Sequence, residues 1–141
     1  MKSATERVIS LKILADTNVL ISALFYPKSK PARALYHAAD NCALVLSDHN
    51  IAELHKVVKE KFARTQADVE LFLTELTYEL ILAPRATQKL ISDPKDAPIL
   101  NAAIIADVAI IISGDNHFRA LEMERPKTMT AAEYLKYVEE E

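Results

Sequence analysis

The chain of 141 residues contains a single glycine, Gly114. Loops that cradle phosphate on backbone N–H groups need several glycines, so the P-loop and the dinucleotide fingerprint are excluded. A single cysteine, Cys42, excludes an internal disulfide and a multi-cysteine zinc site, and suits a reducing, intracellular setting. Tryptophan is absent and aromatics make up 6% of residues, which argues against stacking platforms for single strands. No basic excess exists: the net charge is −3, whereas nucleic-acid-binding domains are usually strongly basic. An acidic chain can still act on an anionic polymer when part of its acidity is used to hold metal ions. Membrane-length apolar runs are also missing. The most apolar stretch, Ala97 to Gly114, contains Asn101 and Asp107, and the N-terminal residues lack a signal-like apolar region. These features predict a cytoplasmic protein with no membrane segment.

Half of the residues are hydrophobic and 26% are charged, the balance of a folded domain. Residues 1–11 read as a tail and the start of a first strand, and 12–141 as one domain. Short apolar runs at 8–15, 43–46, 79–83 and 108–112 predict strands, with a minimal edge strand at 127–129. Helical patterns lie between them at 19–25, 31–40, 48–63, 66–76 and 99–106, with a short one at 116–121. Thr130 and Glu133 form a capping box for a last helix at 131–139. Apolar strands alternating with helices predict an α/β fold, a Rossmann-like three-layer α/β/α sandwich around a mainly parallel five-stranded sheet.

In such a sheet ligands bind beyond the carboxyl ends of the strands. Asp16 follows the first strand, and Asp115 follows the fourth. Glu53 lies in the second turn of the helix after the second strand, between Ile51 and Leu54. Asp93 and Asp96 precede the helix at 99–106. Taken singly, each acid has an ordinary use in a turn, a cap or a solvated face. Gathered at one crevice they would repel one another, and a hard divalent cation is the usual remedy. Oxygen-only ligands suit Mg²⁺ or Mn²⁺, and the chemistry that follows is phosphoryl transfer, commonly with two metals about 4 Å apart.

These residues also carry a resemblance. Asp16-Thr17-Asn18-Val19-Leu20-Ile21-Ser22-Ala23 resembles the opening motif of PIN-domain nucleases. Ser47-x-x-Ile51-x-Glu53-Leu54, with one further residue before Ile51, resembles the second acidic motif. Asp93-Pro94-Lys95-Asp96-Ala97-Pro98 and Ser113-Gly114-Asp115-Asn116-His117-Phe118 are similar to the third and fourth. Thr130-Ala131-Ala132-Glu133-Tyr134-Leu135 is similar to the family's ending. The likeness runs over about 12–135 and is nearest to the prokaryotic, VapC-like toxin components of toxin–antitoxin pairs.

The resemblance implies a metal-dependent endoribonuclease on a PIN-like fold, with Asp16, Glu53, Asp96 and Asp115 as catalytic metal ligands and Mg²⁺ or Mn²⁺ as cofactor. Thr17, Asn18 and Ser113 match polar positions that support the site. It further implies RNA as substrate, a cognate antitoxin protein as partner and a homodimer. Lys28, Lys30, Arg33 and His117 are candidate substrate contacts, whereas Lys56, Lys59, Lys61 and Arg64 read first as a solvated helix face. Phe25, Leu35, Tyr36 and Phe62 are candidates for a dimer patch. The chain departs from the family in three places: Ser113 replaces a commoner Thr, Ala106-Asp107 stands where a Gly is frequent, and Asn116 replaces a frequent Lys or Arg.

Other classes fit less well. Aspartyl-phosphate phosphohydrolases require D-x-D, and Asn18 cannot act as the second acid. A response-receiver domain needs adjacent acids at the first strand, where Ala15 stands. A non-catalytic PIN-like module binding RNA or protein is the remaining alternative.

Overall fold

The computed structural model describes residues 11–61, 66–83, 97–114 and 124–139. Five strands, β1 (Lys12–Ala15), β2 (Ala43–Ser47), β3 (Glu79–Ile81), β4 (Ile110–Ile112) and β5 (Lys127–Met129), form one sheet. Its order is β3-β2-β1-β4-β5, and every pairing is parallel. β1 is central, with Leu14 in register with Val45 on one side and Ile111 on the other. The chain leaves β1 toward β2 and later returns to its other side as β4, which makes the carboxyl end of β1 the topological switch point.

Six described helices surround the sheet: α1 (Thr17–Phe25), α2 (Lys30–Asn41), α3 (Asp48–Lys61), α4 (Gln66–Glu75), α5 (Ala97–Ile105) and α6 (Ala131–Glu139). Side chains alternate between faces along each strand, so both faces of these short strands must be apolar to be covered on both sides. Ile13, Ala15, Leu44, Leu46, Ile110 and Ile112 point into a core shared with α1, α2, α3, α4 and α6. Leu14, Val45 and Ile111 point the other way, against Ile99, Leu100 and Ala103 of α5. This is the expected three-layer sandwich. None of the described helices is long and apolar enough to cross a membrane.

Several boundaries move for local reasons. The first helix starts at Thr17, not residue 19, because Asp16 adopts extended backbone and caps it. Pro31 lies in the first turn of α2 behind the Ser29 cap, where its missing N–H costs nothing. α5 starts at Ala97, so Pro98 falls in its first turn. The strand expected at 108–112 begins only at Ile110, because Asp107 takes a left-handed conformation with φ 58°. A left-handed turn explains the glycine common there in the family, and Asp is among the side chains that tolerate it. Arg125 braces the turn, donating from Nε to Asp107 Oδ1 at 2.8 Å and from Nη2 to the Asp107 carbonyl at 3.1 Å.

Two expectations about apolar surface are corrected. Leu35 is fully buried and cannot belong to a dimer patch, Phe25 is only half-buried against the core, and Phe62 lies outside the described residues. The Ala/Ile-rich composition of 99–106 suggests a helix buried on most sides, but at its end Ile105 is 71% exposed. Of the four dimer-patch candidates Tyr36 is exposed, and among the described residues the other large exposed apolar side chains are Tyr26, Leu71, Leu80, Leu82, Ile104 and Ile105.

Candidate active site

Asp16 is the last residue held by the β1 ladder, its N–H donating to the Ile112 carbonyl at 2.9 Å. Its carboxylate is 3% exposed and is gripped from two elements. Oδ1 accepts from the Thr17 backbone N–H at 2.8 Å, and Oδ2 accepts from the Ser113 hydroxyl at 2.9 Å. Ser113 is itself fixed, its N–H donating to the Met129 carbonyl across β5. The carboxylate also sits at the N-terminal end of α1, where the helix leaves unpaired N–H groups. These bonds set the orientation of the acid before any ligand arrives.

The opposite wall is built by α3. Ser47 ends β2 and caps α3 in a reciprocal arrangement. Its hydroxyl accepts from the Asn50 N–H at 3.0 Å, and Asn50 Oδ1 accepts from the Ser47 N–H at 3.1 Å and from its hydroxyl at 2.9 Å. This is a capping box with Asn in the place usually held by Glu or Gln. The amide adds what a carboxylate cannot: Asn50 Nδ2 donates to Thr17 Oγ1 at 3.1 Å, joining the start of α3 to the start of α1. Asn50 is completely buried. It was not among the candidates from sequence, although Ser47-x-x-Asn50 before an apolar helical pattern carried the signal.

Glu53 lies three residues beyond Asn50 and so shares that face of α3. Its side chain is 34% exposed, with His49 Nε2 at 3.5 Å from Oε2. Asn18, Glu53 and His49 meet at a cleft of about 510 Å³ between α1 and α3, floored by Ile21 and Val57. Asp16, Thr17, Asn18, Glu53 and Ser113 are thus gathered around the starts of α1 and α3 and the end of β4. Asp93, Asp96, Asp115 and His117 lie outside the described residues, as does the helix expected at 116–121. Their described neighbours are Ala97, which opens α5, and Gly114, which follows the buried Ser113. Among the described residues no three of His, Cys, Asp and Glu form a metal-holding group.

Lys28, Lys30 and Arg33 are not brought to this cleft. Lys28 is exposed in the turn after α1. Lys30 and Arg33 line a separate, shallow depression of about 180 Å³ with Leu135 and Lys136 of α6. The remaining histidines serve packing. His55 Nε2 reaches Glu70 of α4 at 3.0 Å. His37 Nδ1 lies 2.8 Å from the hydroxyl of the fully buried Tyr134, and Cys42 Sγ lies 3.3 Å from the same oxygen. Burial lowers the His37 pKa, with Asp40 opposing, and pushes the Cys42 thiol up.

A family model described as the PIN domain matches residues 12–117, which takes in the Asp16, Glu53 and Ser113 segments. The chain belongs to the PIN domain family. Its fold is similar to a chain in the crystal structure of VapBC2 from Rickettsia felis bound to a DNA fragment from their promoter. The TM-score is 0.65 at 17% identity, over 85% of this chain and 98% of that one. No curated protein matches the chain. Asp16 stands at the carboxyl end of the central strand of this PIN domain.

The oxygens of Asp16, Glu53 and Asn18 are hard donors that fit Mg²⁺ or Mn²⁺, and the His49 imidazole beside Glu53 is a borderline donor in the same cleft.

Proposed function

We propose that this PIN domain is a metal-dependent endoribonuclease that hydrolyses RNA phosphodiester bonds in the cytoplasm, acting as the toxin of a toxin–antitoxin pair. The observation that carries the reading is the buried Asp16 carboxylate. It is held by Thr17 and Ser113 at the switch point of a parallel sheet, beside a cleft that Glu53 and Asn18 share.

In this reading Asp16 and Glu53, with Asp96 and Asp115, hold Mg²⁺ or Mn²⁺. When bound, such an ion supplies charge neutralisation at the scissile phosphate and an acidified water as nucleophile. The protein's own contribution is preorganisation. Thr17 and Ser113 leave the Asp16 carboxylate little freedom to turn, so little reorganisation is needed when substrate binds. Asn50 fixes the spacing between the α1 and α3 walls, and thereby between Asp16 and Glu53. Asn18, exposed at the mouth of the cleft, is placed to orient a substrate oxygen.

The toxin assignment, with a cognate antitoxin as partner, is supported by the VapC-like motifs together with the fold likeness to the VapBC2 chain. A homodimer is part of the same proposal. The test is cleavage of labelled RNA in Mg²⁺, in Mn²⁺ and in EDTA, by the wild type and by Asp16→Asn. Co-expression with the product of the adjoining reading frame tests the partner: co-purification and suppressed cleavage are the expected result. Absence of cleavage in both metals overturns the nuclease assignment, cleavage in EDTA overturns its metal dependence, and full activity in Asp16→Asn overturns the site.

A further inference from the structure

The cleft that begins at Asn18 and Glu53 does not end there. It continues along α3, where Lys56, Glu60 and Lys61 line it over the apolar floor of Ile21, Ala52 and Val57. Lys59 stands exposed on the same helix and takes no part in the lining. The basic run on α3 therefore divides: Lys59 is the solvated face that the sequence suggested, and Lys56 and Lys61 belong to the cleft. At 1.5 Å per residue, Lys56 lies about 4.5 Å and Lys61 about 12 Å beyond Glu53 along the helix axis. A stacked strand rises about 3.4 Å per nucleotide, so the lysines span at least two nucleotide steps from the Glu53 end.

We propose that this cleft is a track for single-stranded RNA, in which Lys56 and Lys61 contact phosphates about two nucleotides apart on one side of the scissile bond. The inference rests on the nuclease reading and adds to it the path and strandedness of the substrate. The cleft carries two lysines and two glutamates. Once a cation offsets Glu53, the lysines leave it net positive, which favours an anionic occupant. Ile21, Ala52 and Val57 offer apolar surface to bases and ribose between the phosphates. Bases can reach that apolar surface from a single strand, whereas a duplex keeps them paired inside.

The test is fluorescence anisotropy with a labelled, cleavage-resistant phosphorothioate oligouridylate in Mg²⁺, so that Glu53 is offset and no cleavage is needed for a signal. Each phosphate contact on a single strand adds about 0.7 to the slope of log affinity against log salt. The Lys56→Ala/Lys61→Ala double variant is expected to lose about 1.4 from that slope. Its affinity then falls about sevenfold less than that of the wild type between about 50 and 200 mM salt. Both side chains are exposed and alanine favours helix, so the variant is expected to fold. Lys59→Ala is expected to match the wild type, and the strand annealed to oligoadenylate is expected to bind weakly.

An unchanged slope in the double variant, an equal loss in Lys59→Ala, equal binding of the duplex, or no RNA binding by the wild type overturns the track. Lysine dependence confined to an acidic peptide, with RNA binding unaffected, would reassign the cleft to a protein partner. The two levels fail separately. Lysine-dependent binding without cleavage in Mg²⁺ or Mn²⁺ sinks the nuclease reading and leaves the track. Cleavage with lysine-independent binding sinks the track alone.

Discussion

Replacing Asn50 with alanine tests whether one buried amide fixes the geometry of the site. Asn50 is 0% exposed, accepts from the backbone and hydroxyl of Ser47, and donates to Thr17. Alanine removes all three bonds and admits no obvious substitute. The Ser47 hydroxyl can rotate to another acceptor, but the Ser47 N–H and Thr17 Oγ1 lose partners inside the fold. Each buried polar group left unpaired costs about 1–3 kcal/mol, so the variant is expected to lose about 3 kcal/mol. That is a large part of the roughly 5–15 kcal/mol available to a typical domain. For a chain of this length it lowers Tm by roughly 6–12 °C. Urea unfolding reads the loss as a lower midpoint at unchanged slope. Thr17→Val deletes the partner of Asn50 Nδ2, and a double-mutant cycle isolates that bond at about 1 kcal/mol. A loss below about 1 kcal/mol for Asn50→Ala, the size of an unremarkable substitution, or strict additivity in the cycle would refute the reasoning.

Three further outcomes follow from the geometry away from the cleft. His37 has a lowered pKa in the folded chain, so between that value and the ordinary histidine value near 6.5 the unfolded state binds more protons. Its contribution to stability is complete above about pH 6.5 and is lost as pH falls below it. NMR titration should place His37 under the ordinary value, His37→Gln should flatten stability across that window, and a His37 pKa at or above the ordinary value contradicts the argument. The Cys42 thiol, raised by burial, should react with iodoacetamide at pH 8 more slowly than an unfolded control; equal rates would count against it. Asp107→Gly should nearly preserve Tm, because glycine accepts the φ of 58°, whereas Asp107→Val should lower Tm; equal values for the two would show that backbone conformation does not select this residue.

Most of the fold was legible because its signals are local. Ala43–Ser47 and Ile110–Ile112 are bounded apolar runs, and Thr130 caps α6 as its box with Glu133 predicts, Glu133 N–H donating to Thr130 Oγ1 at 3.1 Å. The ends were harder to read. Asp16 and Asp107 each terminate a regular element through their own backbone conformation, which tertiary contacts with Ser113 and Arg125 sustain. In the candidate site, Asp16 and Glu53 were read from their position relative to the strands, and Ser113 from its match to the family motif. Asn50 was not, because its partner Thr17 is 33 residues away and an amide is chemically unremarkable in a helix. The placement of Lys30 and Arg33 was hard to read for the opposite reason. Proximity in sequence to α1 suggested proximity in space, but α2 turns Lys30 and Arg33 toward α6. The division of the α3 lysines likewise depends on how α1 lies across that helix, which helical periodicity alone leaves open.

The central claim is that Asp16 anchors a metal-dependent ribonuclease site, and cleavage by Asp16→Asn tests it most directly. Asparagine keeps an oxygen for the Thr17 N–H and a polar group opposite Ser113, while the charge is removed. The wild type is expected to cut single-stranded RNA in Mg²⁺ or Mn²⁺ and to stop in EDTA. Asp16→Asn is expected to remain folded and to lose cleavage by at least about a hundredfold, the order lost when one electrostatic support is taken from a charged transition state. A folded Asp16→Asn protein that cleaves RNA at the wild-type rate would contradict the account.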